Sequence, residues 1–223
     1  MALLGTAVVF ILFDRAPGTV EEFYTWHDRE HMPERLGIPG FLRGRRYHVI
    51  GEGPQFLTLY EASDMDVLIG PDYLQRLNNP TPFSRKVGPL ARNNSRGVCH
   101  VVKSISEQAT GSALALIRFF CTNASALDQC LSQLEPALLR MNGIYGVHWC
   151  NTNKTASTIE VEEKKNREIF IPESIILVEG SQVPNVLSAA EMIVNKACAP
   201  RFSSIQDVNI VTYFLEVTHF SSS

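Results

Sequence analysis

Two histidines, His27 and His31, lie four residues apart in a segment that reads as an amphipathic helix, so both imidazoles share one helix face. The remaining inward positions of this helix are aliphatic or aromatic: Val20, Phe23 and Tyr24. Imidazole is suited to proton transfer because its ordinary pKa lies near neutrality. Burial of two imidazoles requires polar neighbours or a polar cavity. The pair therefore predicts general acid–base chemistry, with His31 as the principal group and His27 as the second.

A strand at 41–50 offers polar partners for these imidazoles. Its side chains alternate between two faces, so Arg46 and His48 share one face and Tyr47 lies on the other. We expect Arg46 and His48 to face the helix, with Tyr47 as the alternative partner. Tyr60, on the next strand, is a candidate hydrogen-bond donor to an enolate or phenolate oxygen. An arginine beside such a group favours an anionic substrate.

Structural interpretations of the same residues stay open. A histidine on an apolar helix face is commonly satisfied by a backbone carbonyl, and the strand arginines suit a solvated edge or an ion pair with Asp28 or Glu30. Tyr24 and Trp26 flank the histidines and are candidates for substrate contact. Trp26 also suits packing against the chain that follows the helix, near Phe41.

The spacing of the two histidines also fits a metal site. The sequence HDREH lacks the carboxylate position of an HExxH motif, and no third ligand stands out. P-loop, dinucleotide-binding and nucleophile-elbow motifs are absent from the sequence. We therefore expect neither a metal nor another cofactor.

A second predicted helix shows that this face can be built without polar groups. Over residues 124–140 the same stripe is Leu127, Cys130, Leu131, Leu134 and Leu138. At an offset of 107 residues, His27 corresponds to Leu134 and His31 to Leu138. The polar version of the stripe in the first half therefore needs a reason.

The composition is that of an ordinary globular protein and excludes several partners. The 223 residues are 45% hydrophobic and 19% charged, with a net charge of −3, and the pI is near 6.1. This balance predicts neither nucleic-acid nor membrane-surface binding. The apolar run at 7–13 is too short to span a bilayer and reads as a buried strand. Five scattered cysteines without a CxxC pair favour a reducing cytoplasm.

The predicted elements follow the order βαββαβ twice. The first set comprises strand 7–13, helix 19–36, strands 41–50 and 55–61, helix 64–77 and strand 98–104. The second comprises strand 113–120, helix 124–140, strands 146–151 and 174–179, helix 185–197 and strand 208–218. Thr19 with Glu22 suggests a capping box, Gly70–Pro71 interrupts the second helix, and residues 78–97 read as a polar connection.

This order predicts an α+β fold made of two tandem ferredoxin-like units, residues 1–108 and 109–223. Each unit leaves one sheet face uncovered, so we expect the two sheets to pack together as an intramolecular dimeric α+β barrel. The fusion satisfies that face and leaves further homodimerisation open. Residues 152–172 replace a short GEGP turn of the first half and are expected to be a solvated, mobile excursion. Nothing in their residues favours a role as a lid.

The first half resembles the EthD-like branch of the dimeric α+β barrel superfamily. The resemblance is carried by Trp26-His27-Asp28-x-x-His31-x-Pro33, then by Ile38-Pro39-Gly40-Phe41 and Arg45-Arg46-Tyr47. It implies a pocket between the sheet and the helices of one unit. The superfamily includes cofactor-free isomerases, cyclases and quinone-forming monooxygenases, haem-binding branches and stress-responsive proteins, so the reaction has to be argued from the site.

These observations together favour a cofactor-independent enzyme that acts on a small cyclic or aromatic, anionic metabolite by isomerisation, cyclisation or elimination. His31 and His27 would move the proton, and Arg46 and Tyr60 would stabilise the oxyanion. Tyr24, Trp26, Tyr47 and His48 would contact the substrate. The alternative is a ligand-binding or stress-response barrel without turnover, and a third is a structural remnant. A cavity lined by both histidines distinguishes the first two from the third.

Overall fold

A computed structural model describes residues 3–106, 109–165 and 169–221. The strands are β1 (Ala7–Arg15), β2 (Phe41–Ile50), β3 (Phe56–Ala62), β4 (Ala91–Ser106), β5 (Ala113–Cys121), β6 (Ile144–Thr152), β7 (Ile169–Phe170), β8 (Ser174–Gly180) and β9 (Ile205–Phe220). The α-helices are α1 (Val20–Trp26), α2 (Met32–Leu36), α3 (Met65–Ile69), α4 (Pro71–Asn78), α5 (Pro82–Val87), α6 (Ala124–Leu138), α7 (Lys154–Thr158) and α8 (Val183–Cys198). A π-helical turn, His27–His31, joins α1 to α2.

Eight of these strands form a closed antiparallel barrel. They are hydrogen-bonded in the order β1-β3-β2-β9-β5-β8-β6-β4, and β4 returns to pair with β1. The short β7 adds to the outer edge of β4 in parallel. Among the described strands, closure leaves no long edge unpaired, which protects an antiparallel sheet from association through its edges.

Both halves of the chain contribute four strands in the same order. The first half runs β4-β1-β3-β2 and the second runs β9-β5-β8-β6. The halves are joined by two long pairings, β2 with β9 and β4 with β6. The barrel is therefore assembled from both halves together.

The barrel interior is apolar along most of its length and ionic at one end. Its apolar core takes alternate residues of each strand, including Phe10, Leu57, Leu116, Leu177 and Tyr213. At one end Arg43 donates to both carboxylate oxygens of Glu61, at 2.8 and 2.9 Å. Arg45 lies 3.0 Å from Glu61 and 2.8 Å from Glu179. All four of these charged side chains are buried, so each is compensated by an opposite charge.

The outer faces of the two half-sheets are covered by helices in different ways. In the second half α6 and α8 pack on the sheet in one large apolar cluster. In the first half five shorter helices divide the packing into two smaller clusters. Among the described residues, no helix combines the length and apolar character needed to cross a membrane.

The structure corrects several sequence expectations for the first half. Thr19 forms no capping box, because its hydroxyl donates back to the Ala16 carbonyl at 2.7 Å. The connection predicted at 78–97 contains α5 and the first residues of β4. β4 begins at Ala91, seven residues before the predicted strand at 98–104, because Ala91–Ser95 extend its pairing with β1. The interruption at Gly70–Pro71 is confirmed, since it separates α3 from α4.

The inserted segment 152–172 is largely ordered against the first half. It contains α7, a 3₁₀ turn at Glu162–Lys164 and β7, while residues 166–168 lie outside the described part of the chain. Ala156 and Val161 are buried in a core cluster with residues of the first half. The expectation of a solvated excursion is wrong here, because the few apolar residues of this polar segment, among them Ala156 and Val161, are buried against the first half.

Candidate functional site

A cavity of about 100 Å³ lies on the outer face of the first half-sheet, between β1, β3 and β4 and the helices above them. One wall holds the two histidines with aromatic neighbours: Phe13, Phe23, Trp26, His27, His31, Thr58 and Tyr60. The rest of the lining, called the basic wall below, includes Arg15 beside Phe23 and is completed by the inserted segment: Arg15, Arg35, Tyr73, Arg96, Glu163, Lys164 and Ile169. The volume is on the order of a cavity that holds a single aromatic ring.

The π-helical turn directs both histidines into this cavity. His27 and His31 are its first and last residues, and both are buried. A π turn has more residues per turn than an α-helix, and such turns are frequent at functional sites. The two imidazole rings lie 5.7 Å apart, and the Trp26 ring lies 4.2 Å from that of His31 with a 32° tilt. The local helix geometry thus presents two imidazoles side by side.

The hydrogen bonds of His27 define its tautomer. Its Nδ1 lies 3.0 Å from Nη1 of Arg46. A guanidinium has only donors, so Nδ1 accepts and the ring proton resides on Nε2. Nε2 lies 3.5 Å from the Thr58 hydroxyl, on the cavity side of the ring. His27 is therefore a neutral imidazole that can donate a hydrogen bond to a molecule in the cavity.

The pKa of His27 agrees with a neutral ring. Burial, and in addition the charge of Arg46, lower the pKa of His27 to about 4, although Asp28 acts in the opposite direction. Burial alone would raise the pKa of Asp28, but the hydrogen bonds and the charge of the Arg46 guanidinium hold that pKa well below its usual range. Asp28 is thus a carboxylate and His27 is uncharged at neutral pH.

Tyr60 supplies a phenol to the same wall. Its side chain is buried and lines the cavity, and within the described ranges its hydroxyl has no hydrogen-bond partner. Burial raises the pKa of Tyr60 far above its ordinary value, so the group is protonated. A buried phenol without a partner is costly, and a ligand oxygen in the cavity would satisfy it.

Arg46 lies behind His27 and does not line the cavity. Its guanidinium binds Asp28, and Nε donates to Glu216 at 2.7 Å. Tyr24 stacks on this guanidinium at 4.5 Å and donates its hydroxyl to Glu216 at 2.7 Å. The role predicted for Arg46, direct oxyanion stabilisation, does not fit this position, because His27 stands between it and the cavity. The ion pair of Arg46 with Asp28 that the sequence left open is present.

The other predicted contact residues separate into two groups. Trp26 lines the cavity and donates its indole N–H to Ser84 at 3.0 Å, so it packs on α5 and His31 rather than near Phe41. Tyr47 points into the barrel interior, on the opposite face of the sheet. His48 shares the outer face with Arg46 but packs between the rings of Phe56 and Phe214, away from the cavity. Tyr24, described above, also lies outside the lining.

Sequence reasoning missed Thr58 and the basic wall. Thr58 lies two residues before Tyr60 on β3, so the two side chains share one face of the sheet. This spacing was visible in the sequence. Arg96 was hidden because it precedes the predicted start of its strand. Arg35, whose Nη2 donates to Glu163 at 2.7 Å, depends on contact with a segment 128 residues away. No local pattern encodes that contact.

The equivalent face of the second half is packed solid. By strand register, Trp149 corresponds to Arg46, Ile176 to Thr58 and Val178 to Tyr60. With Leu134 and Leu138, the counterparts of the histidines, they belong to one apolar cluster. The polar cavity is therefore a feature of the first half, and the fold does not require it.

The cavity does not fit a haem or a clustered metal site. At about 100 Å³ it is smaller than the roughly 300–1,000 Å³ pockets that hold drug-sized ligands, and a haem is at least that large. Within the described part of the chain, no three His, Cys, Asp or Glu side chains are grouped to hold a metal ion.

The fold is that of the dimeric α+β barrel proteins. An anthrone oxidase-like protein superposes on 100% of this chain and 97% of its own, with a TM-score of 0.65 and 10% identity. A proposed monooxygenase from Lactobacillus acidophilus NCFM gives 0.54 at 11% identity, over 97% of each chain. A chlorite dismutase from Candidatus Nitrospira defluvii gives 0.58 at 9% identity, over 96% of this chain and 92% of its own. These neighbours carry the names of enzymes, and such low identities establish the fold alone.

The sequence matches no protein-family model and no curated protein.

Proposed function

We propose that this chain is a cofactor-independent enzyme that removes a proton from a small cyclic or aromatic, anionic metabolite in the His27–His31 cavity. The observation that carries the proposal is the meeting of both imidazoles with the Tyr60 phenol, which has no partner among the described residues, in one small cavity. Such a set contains a base and two neutral donors, which are the groups required to form and hold an enolate or phenolate.

The three groups take different roles. His27 donates from Nε2, because Arg46 occupies its Nδ1. Tyr60 donates its phenolic proton to the same developing oxyanion. His31 is left as the base, since the lowered pKa of His27 makes that ring a poor proton acceptor. Arg46 is then a positioning residue that acts through His27.

An enolate or phenolate is the shared intermediate of the isomerisation, cyclisation or elimination predicted from the sequence. The names of two structural neighbours, an anthrone oxidase-like protein and a proposed monooxygenase, favour a second outcome. In that outcome dioxygen accepts electrons from the same carbanion, and the substrate leaves as an oxygenated or quinonoid product. Both reactions begin with the same proton transfer, so the residue roles are unchanged.

We also infer that the chain is a tandem fusion of two ferredoxin-like units of the EthD-like kind, divided near residue 108. Two observations support this inference. Each half contributes its strands in the same order, and Trp26, His27 and His31 of the WHDxxHxP sequence in the first half line the cavity. The second unit then acts as scaffold and, through its inserted segment, as one wall of the site.

A small-molecule extract of the host tests the proposed activity. The wild-type protein and the His31→Gln variant are each incubated with the extract and analysed by mass spectrometry, with His100→Gln as the matched control because His100 is exposed on β4. We expect one metabolite to be consumed by the wild type and the control but not by His31→Gln. Circular dichroism establishes that the variants are folded.

Other outcomes contradict the proposal in distinct ways. A metabolite retained without any change of mass, and lost from His31→Gln, would identify a binding protein. Equal consumption by wild type and His31→Gln would remove His31 from the mechanism. No retained and no consumed metabolite would leave both histidines with structural roles.

A further inference from the structure

The basic wall of the cavity contains an arginine whose charge is not compensated. Arg96 is 9% exposed, and its Nη2 donates to the Tyr73 hydroxyl at 3.2 Å. Its Nη1 is buried and has no hydrogen-bond partner among the residues that the structure describes. No carboxylate in those ranges lies within ion-pair distance of it. A buried cation in this state requires an anion.

Other buried arginines of this chain show the usual arrangement. Arg35 pairs with Glu34 and Glu163, Arg45 with two glutamates of the barrel, and Arg46 with Asp28 and Glu216. Arg96 is also buried, although slightly less than these residues, and it lines the cavity. Since no described residue supplies its counter-ion, the contrast favours an anion bound in the cavity.

The position of Arg96 fixes where that anion would lie. On the outer face of the sheet, Arg96 of β4 pairs in register with Ile11 of β1, and Ile11 pairs with Thr58 of β3. Thr58 and Arg96 are thus two strands apart in one row, a backbone separation of roughly 10 Å. His27 lies above Thr58. The imidazole wall and Arg96 therefore face each other across the cavity.

Lys164 reinforces the positive charge at this end. Its ammonium donates to the carbonyls of Ile159 and Ser157, at 2.7 and 3.0 Å, and lines the cavity. Glu163 is the one acidic residue in the described lining, and its carboxylate is already bound by Arg35. The end of the cavity away from the histidines is therefore cationic.

We propose that Arg96 is the substrate-anchoring residue, which binds a carboxylate on a single-ring substrate whose acidic C–H or O–H group faces the imidazoles. The proposal rests on the function proposed above and specifies its substrate class. A ring with polar substituents at opposite ends can place one of them at Arg96 and the other at the imidazoles, each in a hydrogen bond. The cavity volume of about 100 Å³ excludes fused ring systems unless the inserted segment moves away.

Two matched ligands test this assignment on the intact protein. The probes are 4-hydroxybenzoate and 4-hydroxybenzamide, which have nearly the same shape and differ in charge. Affinities are measured by isothermal titration calorimetry for the wild type, Arg96→Gln and Arg92→Gln. Arg92 lies on the same strand but is exposed, so its variant is the control.

We expect the wild type and Arg92→Gln to bind the benzoate about tenfold more tightly than the benzamide, which is the usual contribution of a hydrogen bond to a charged group. Arg96→Gln should lose that preference while binding the benzamide as before. Arg96→Gln should also keep or raise the melting temperature, since it removes an uncompensated buried charge. If Arg96 instead stabilised the fold, Arg96→Gln would lower the melting temperature.

Three results overturn the assignment: equal affinity of the wild type for both probes, an unchanged preference in Arg96→Gln, or no binding of either probe at millimolar concentration. The outcome is separable from the test of the proposed function. A carboxylate preference that depends on Arg96, without turnover that depends on His31, would retain the subsite and reject the enzyme. Turnover that depends on His31, without a carboxylate preference, would retain the enzyme and reject the subsite.

Discussion

At the scale of single residues, the site depends on which atom of His27 carries the proton. Arg46 can only donate, and it lies 3.0 Å from Nδ1. This single contact makes His27 a neutral donor toward the cavity and leaves proton abstraction to the other imidazole. A sequence reveals that two histidines share a face, but the tautomer depends on a contact from another strand.

Nitrogen-15 NMR checks the state of His27 directly. We expect a protonated Nε2 and an unprotonated Nδ1 from pH 8 down to about pH 5, because the pKa of His27 is lowered to about 4. Arg46→Gln should raise that pKa only in part, since burial is the larger cause of its shift. A wild-type His27 that titrates with the ordinary pKa near 6.5 would contradict the assigned geometry.

Tyr60→Phe separates function from stability. The Tyr60 hydroxyl has no partner in the described ranges, so its removal should not lower the free energy of unfolding and should raise it by about 1 kcal/mol. Turnover of the substrate should fall by about 10²-fold, as for the loss of one oxyanion donor. Denaturant titration and steady-state kinetics measure the two effects.

Tyr47→Phe is the matched control for this experiment. Tyr47 is also a buried phenol without a partner in the described ranges, but it lies inside the barrel. We expect its stability to change as in Tyr60→Phe and its turnover to stay close to that of the wild type. Equal losses of turnover in the two variants would indicate a general effect on packing and not a role of Tyr60 in the site.

At the scale of elements, the inserted segment of the second half completes a cavity that belongs to the first. Its principal polar attachment is the Arg35–Glu163 pair, with 2.7 Å between nitrogen and oxygen and both side chains largely buried. Its apolar attachment is through Ala156 and Val161. The Val98 amide also donates to the Ser157 hydroxyl at 3.0 Å, and β7 pairs with β4, so the Arg35–Glu163 pair is the attachment that a single side-chain substitution can remove.

Glu163→Gln should loosen this segment without disturbing the barrel. We expect faster amide hydrogen exchange over residues 154–165 and weaker retention of a ligand, because a buried charge on Arg35 loses one of its two carboxylates. Hydrogen-exchange mass spectrometry provides the measurement. Glu162→Gln, which removes a surface pair with Lys165, should exchange like the wild type. Similar exchange in both variants would mean that the pair does not hold the segment.

Helices and strands with a clear local hydrophobic pattern were predictable from the sequence. The unbroken apolar run of β1 and the heptad-like stripe of α6 lie within two residues of their predicted bounds. The first part of β4 was missed because Arg92, Asn93 and Asn94 are polar there, and their strand conformation depends on pairing with β1. The π turn was missed because an α-helical stripe accounts equally well for His27 and His31.

At the scale of the whole molecule, two buried histidines make stability dependent on pH. Burial, as the main cause, lowers the pKa of both His27 and His148 to about 4, from an ordinary value of 6.5. Between these values the unfolded chain binds more protons than the folded one. The free energy of unfolding must therefore fall as the pH is lowered from about 6.5 toward 4.

Denaturant titrations across this pH range measure the effect, which should be on the order of a few kcal/mol for the two groups together. A variant with both His27→Gln and His148→Gln should show a flatter profile above pH 5. His100→Gln, at an exposed position, should retain the wild-type slope. A pH-independent stability in the wild type would show that neither ring is held neutral.

The closed barrel could be anticipated from the repeated element order, whereas the ionic end of its interior could not. Arg43 and Arg45 read as candidates for a solvated edge, yet both are buried with Glu61. Which face of a strand points inward depends on how two half-sheets close on each other. That relation joins residues more than a hundred positions apart, such as Tyr47 and Leu215.

The solid packing of Leu134, Leu138, Ile176 and Val178 has a consequence for how the protein saturates with ligand. A barrel built from two identical chains carries every site twice, and occupancy of one copy can alter the other. Here the second copy is filled by side chains, so we expect a stoichiometry of one ligand per polypeptide. Binding should follow a simple hyperbola with a Hill coefficient near unity.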